Sequence, residues 1–174
     1  MQTKAAIDRA RAGKAKAQIG NNTNLFDITY VGNAAEAHIL AAKALLSDPL
    51  PTGDLKVDGE AFFITNGDPR PFWDVARMYA TAAGCPVKKE EIKVVPVWLA
   101  FFMAGVMEWL YWIFTLGTKQ PIMNRRGLSY TIMQRTFSIE KARKRLGYEP
   151  KVSLEEGMKR GALWYNKTFS DGTK

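Results

Sequence analysis

Residues 94–116 read VVPVWLAFFMAGVMEWLYWIFTL, an apolar run interrupted by one charge, Glu108. A run this long can cross a bilayer as a helix, so any fold of this chain must either bury one very hydrophobic helix or put it to use. The insertion energetics are balanced closely. Its eleven Leu, Ile, Phe and Val residues favour insertion by about 3 to 7 kcal/mol in all. An acid at mid-membrane opposes insertion by about 2.5–3.5 kcal/mol, and Pro96 and Gly105 add nothing favourable. Helical spacing places Ala104, Gly105, Glu108 and Thr115 on one small, more polar side, and spreads Trp98, Phe102, Trp109, Trp112 and Phe114 over the remainder. Three readings stay open for a helix over about 96–116: it touches a membrane or walls a lipid pocket, it is a core helix, or it spans.

The 174 residues suffice for one ordinary domain, and 47% hydrophobic with 24% charged is a globular composition. The net charge of +8 is unevenly placed: residues 1–118 hold 12 basic and 12 acidic side chains, residues 119–174 hold 13 and 5. A basic last third points to an anionic neighbour or to a solvated basic face. No nucleic-acid reading motif accompanies it, so nucleic acid is not an expected partner. One Cys (Cys85) and one His (His38) exclude a disulfide framework and a zinc site built from those two types. No metal site is expected. Residues 1–18 alternate Ala with charge and contain no apolar signal core, so they read as a basic, Ala-rich leader, solvent-facing or frayed.

Between these features, strand and helix signals alternate. Leu25–Val31 is a β-branched and aromatic run of strand length, and Asn33 with Glu36 resembles a capping box opening the helix AAEAHILAAKALL. Ala61–Thr65 reads as a second strand, closed by Asn66-Gly67. A helix follows with Pro71 in its first turn and Gly84 as its stop. Ile92–Val95 is a third short strand. Near the C-terminus, Ser138 and Gly147 bracket IEKARKRL, and Ser153 with Glu156 forms a capping box for the last helix. The pattern is α/β, with few strands for a complete doubly wound sheet.

The chemistry-bearing motifs are absent from the sequence. It contains no nucleophile elbow, P-loop, HExxH motif or G-x-G-x-x-G turn after a strand. Catalytic and cofactor-binding residues are therefore expected to be none in this chain.

Three blocks resemble a known family. NTNLFDITYVGNAAEAHILAAKALL is similar to a strand and helix of extended short-chain dehydrogenases, and GEAFFITNGDPRPFWDVARMYATAAG to the next such pair. RTFSIEKARKRLGYEPKVSLEEGMKRGALWY resembles their C-terminal pattern. The wording of the first block and the apolar insert are most similar to the 3β-hydroxysteroid dehydrogenase branch.

The resemblance implies an α/β fold that is the C-terminal substrate-binding part of an extended Rossmann-type dehydrogenase, residues 19–170, with most of the nucleotide-binding sheet missing. The implied function is the substrate-binding portion of an NAD(P)-dependent 3β-hydroxysteroid or sterol dehydrogenase in the C4 demethylation step of sterol biosynthesis. NAD or NADP belongs to the full-length family. Its Tyr-x-x-x-Lys pair, which moves the hydroxyl proton, has no counterpart in this sequence, so this chain alone is expected to be inactive. The alternative is a non-catalytic protein that binds a membrane surface or a partner.

The resemblance further places Asn24, Phe26, Tyr30, Arg126 and Tyr130 near the substrate cleft. It makes Trp98, Phe102, Glu108, Trp109 and Trp112 the membrane or sterol-pocket helix, and it sets Asn33, whose plain reading is the helix cap, where many members have Asp. Implied partners are a sterol, a membrane surface and other sterol-demethylation enzymes. The implied location is the cytosolic face of the endoplasmic reticulum membrane.

Overall fold

A computed structural model describes residues 2–119, 121 and 123–169; residue 170, the last of the expected lobe, lies outside them. The described elements are, in chain order, α1 (Gln2–Arg11), β1 (Ala17–Ile19), β2 (Leu25–Phe26), α2 (Val31–Leu45), β3 (Arg70–Pro71), α3 (Phe72–Ala82), β4 (Lys93–Val95), α4 (Val97–Thr115), α5 (Arg125–Ile132), α6 (Glu140–Leu146) and α7 (Leu154–Phe169). The strands form two two-stranded sheets, β1 with β4 and β2 with β3. The chain divides into two compact units, Met1–Leu25 with Pro71–Gln134 and Phe26–Arg70 with Arg135–Lys174. Each unit is closed by segments distant in sequence.

In the first unit, β1 and β4 run parallel with Gln18 opposite Val94. Residues 1–18 are not a solvent-facing leader. Ile7 is fully buried, and Ala10 and Ala15 pack with Ala80 of α3 and Val87. The reason is spacing: Ile7 and Ala10 share one face of α1, and small residues let it approach α3 closely. The turn Gly20-Asn21-Asn22 then caps α3. Asn22 Oδ1 accepts from Trp73 N at 2.8 Å, Asn22 Nδ2 donates to Asp74, and Trp73 Nε1 donates to Ile19 O.

In the second unit, Ala37, Val57, Ile139, Ala142, Leu146 and Tyr148 form the core. The capped helices follow their sequence signals. Gly147 ends α6 at φ 63°, a left-handed conformation that glycine adopts without strain, and Ser153 Oγ accepts from Glu156 N at 3.2 Å to open α7.

Two expectations need correction. Residues 61–65 form no strand among the described residues: Phe62 and Ile64 pack against the core, while Thr65 O accepts from Tyr148 Oη instead of a ladder partner. Likewise Asn33 is not a cap. Helix α2 starts two residues earlier, and Asn33 is 2% exposed inside its first turn. Asn33 Nδ2 donates to Val152 O at 2.8 Å and to Asn66 Oδ1 at 3.1 Å, and Val152 N donates back to Asn33 Oδ1 at 3.1 Å. The remote Asn66 does the capping, accepting from Tyr30 N at 2.9 Å.

Candidate functional site

Helix α4 buries one narrow stripe and exposes the rest. Ala100 and Ala104, one turn apart, are its buried residues and pack with Leu128 of α5. Small side chains on this row let the helices approach. Glu108, next on the row, joins them by charge: Arg125 donates its backbone N–H to Glu108 Oε1 and its Nε to Oε2, both at 2.7 Å. The first of these bonds satisfies a first-turn N–H of α5 that has no partner within the helix. These hydrogen bonds, backbone first, hold the Glu108 carboxyl below the usual carboxylate range. Helix α5 itself was not legible in the sequence; Asn124 Oδ1 starts it by accepting from Gly127 N at 2.7 Å.

The outer face of α4 is apolar and open. Trp98 is 71% exposed, Phe102 65%, Trp109 62% and Trp112 62%, and the face continues through Phe114 to Leu116. Among the described residues, its largest side chains point away from the unit's own packing. At its C-terminal end lies a cavity of about 360 Å³, lined by Glu108, Trp112, Gly117, Lys119, Pro121, Asn124 and Arg126.

The remaining first-unit candidates meet at the other end of α5. Asn24 Nδ2 donates to Thr131 O at 3.0 Å and to Met133 O at 3.2 Å, closing the end of the helix. Asn24 O accepts from Phe72 N, and the Phe72 ring meets Tyr130 edge-on with centroids 6.3 Å apart. Asn24 is thus occupied in holding α5, whereas Tyr130 keeps an exposed ring.

Phe26 and Tyr30 belong to the second unit. Arg135 lies over the rings of both Phe26 and Phe137, at 5.8 and 5.9 Å from their centroids, and Phe137 stacks on Phe63 at 4.5 Å. The ordering bonds are Asp27 N to Arg135 O at 2.9 Å and Phe137 N to Asp27 Oδ2 at 2.6 Å. Arg135 was not singled out by sequence reasoning; its place immediately before the TFS block was the available signal. Tyr30 packs on Gly157, where an added Cβ would lie 2.7 Å from its Cδ2.

No group of three His, Cys, Asp or Glu side chains stands close enough to hold a metal ion among the described residues. His38 Nδ1 is engaged with Ala34 O on the surface of α2. Neither strand of the β1–β4 sheet is followed by a G-x-G-x-x-G turn. The turn after β1 is committed to capping α3, and β4 leads through Pro96 directly into α4.

The two units carry short strands, an exposed apolar aromatic helix and two capped C-terminal helices. The profile of the 3-beta hydroxysteroid dehydrogenase/isomerase family matches residues 1–94, and the chain belongs to that family. It is 42% identical, over 94% of its own length, to sterol-4-alpha-carboxylate 3-dehydrogenase, decarboxylating, of Gibberella zeae, and covers 53% of that protein. With the protein of the same description from Saccharomyces cerevisiae it shares 39% identity over 91% of the chain and 43% of the relative. The chain spans about half the length of these relatives and corresponds to their C-terminal part. Among solved structures, dTDP-glucose 4,6-dehydratase of Bacillus anthracis in complex with NAD matches 95% of the chain and 39% of its own, with a TM-score of 0.53 and 18% identity. That likeness is one of fold, to part of a Rossmann-type chain.

Proposed function

We propose that this chain is the substrate side of an NAD(P)-dependent 3β-hydroxysterol dehydrogenase acting in sterol C4 demethylation, working at the cytosolic face of the endoplasmic reticulum membrane. The observation that carries the reading is the open apolar face of α4, with Trp98, Phe102, Trp109 and Trp112, in a chain 42% identical to a sterol-4-alpha-carboxylate dehydrogenase. A rigid hydrocarbon ligand needs an aromatic and aliphatic wall with few polar anchors. A helix whose aromatic residues flank an apolar face suits the edge of a bilayer. Tyr130, with Phe72 behind it, is the substrate-side hydroxyl of the first unit; Phe26 and Tyr30 support the second. Lying on the membrane agrees with Glu108 better than spanning it, because the Glu108–Arg125 pair would otherwise enter hydrocarbon. Other sterol-demethylation enzymes are the partners such a surface location implies.

The test is a chimera in which the N-terminal part of the Saccharomyces cerevisiae relative precedes this chain. NAD(P)-dependent oxidation of a 4α-carboxysterol is expected from the chimera. From this chain alone, neither oxidation nor saturable NAD(P) binding in calorimetry is expected. A folded, membrane-bound but inactive chimera would overturn the proposal and leave the second reading, a non-catalytic membrane-surface protein. That reading draws on the absence of a Tyr-x-x-x-Lys pair in this sequence.

A further inference from the structure

We infer that the cavity at the C-terminal end of α4 is a docking site for the phosphate headgroup of an anionic phospholipid, with Lys119 and Arg126 as its cationic partners. The inference rests on the membrane reading above and assigns it a specific anchor.

Three cations follow the apolar helix in sequence, Lys119, Arg125 and Arg126, and the structure separates them. Arg125 is committed to Glu108 through two bonds of 2.7 Å. Lys119 and Arg126 line one cavity, and neither has a carboxylate partner among the described residues. Glu108, the acid on that wall, is already neutralised by Arg125, so the cavity keeps two uncompensated positive charges.

This sets it apart from much of the rest of the basic last third. There, Lys141, Arg143, Lys144, Arg145, Lys151 and Arg160 each face a carboxylate at 4 Å or less. Many of the cations of this basic third are therefore paired at the surface, whereas Lys119 and Arg126 line one cavity beside an apolar face.

The surroundings specify the ligand. Trp112 lines the cavity and also belongs to the open apolar face, and Phe114 and Leu116, 82% and 86% exposed, continue that face beside it. An indole at such a boundary keeps its ring in apolar surroundings and its N–H in polar ones. A soluble anion would use the two cations and leave the adjoining apolar face wet. A phospholipid engages both, its phosphate between Lys119 and Arg126 and its acyl chains along α4. The volume of about 360 Å³ falls within the roughly 300–1,000 Å³ range of small-ligand sites.

The experiment is co-sedimentation of the full chain with vesicles of phosphatidylcholine alone and of phosphatidylcholine with phosphatidylserine. Binding to neutral vesicles is expected through α4, with tighter binding to the anionic ones. Lys119→Gln with Arg126→Gln is expected to weaken anionic-vesicle binding about 30-fold, the equivalent of about 1 kcal/mol per cation near the surface, and to leave neutral-vesicle binding unchanged. The charge-matched control, Lys159→Gln with Lys167→Gln on α7, is expected to lose fivefold or less. Equal losses in the two double variants would show diffuse attraction and overturn the site while leaving the membrane reading intact. Displacement by millimolar inorganic phosphate would also overturn it, in favour of a free-anion pocket. Absence of binding to either vesicle would instead refute the membrane reading itself.

Discussion

Replacing Asn33 by Ser separates two accounts of one residue. Ser is as good an N-cap as Asn, so an exposed cap at this position would tolerate the change within about 0.5 kcal/mol. Asn33 is instead 2% exposed and closes a three-way clamp with Val152 and Asn66. A Ser hydroxyl is too short to reach Val152. The substitution leaves the Val152 N–H without its acceptor, at about 1–3 kcal/mol, and removes one donor from each of Val152 O and Asn66 Oδ1, which keep their bonds to Asn66 Nδ2 and Tyr30 N. The expected loss is about 2–4 kcal/mol in all, corresponding to a fall in Tm of roughly 4–16 °C for a chain of this size. Urea unfolding followed by far-ultraviolet circular dichroism measures the loss, and hydrogen exchange at the Val152 amide reports the clamp directly. A change below about 0.5 kcal/mol with Val152 exchange unaltered would refute the buried-clamp account.

Gly157→Ala drives a methyl carbon to 2.7–2.9 Å from the Tyr30 ring and is expected to destabilise by about 1–3 kcal/mol, read from the urea midpoint; a neutral result means that Tyr30 has room to move. The Glu108–Arg125 contact has a defined pH sense. The Glu108 carboxyl titrates below its ordinary range when folded, so its contribution is present above that range and is lost as pH falls through the depressed value. Trp112 fluorescence is expected to change on acidification in the wild type and not in Glu108→Gln, which already lacks the charge; identical acid profiles would exclude Glu108 as the source.

The sequence by itself determined the elements whose causes are local. Gly147 ends α6 and Ser153 opens α7 because caps act within one or two turns, and residues 97–115 form the helix that the length of the apolar run announces. It also supplied the family, through blocks read whole.

What it did not determine are features that require a partner far along the chain. Residues 61–65 have strand composition, but a strand is defined by its neighbour, and here Tyr148 takes the Thr65 carbonyl across 83 residues. The Ala-rich first helix carries no signal strong enough to distinguish a leader from a packed element; only the meeting of Ile7 and Ala10 with the α3 side of the first unit buries it. Asn33 has the chemistry of a cap and of a buried clamp alike, and the choice fell to Val152, 119 residues away, because the carboxamide matches a backbone amide's donor and acceptor pair. Of the three cations after the apolar helix, sequence cannot say which is free. Tertiary structure commits Arg125 to Glu108 and leaves Lys119 and Arg126 facing one cavity, since a carboxylate 17 residues upstream can bond both the backbone and the guanidinium of only one of them.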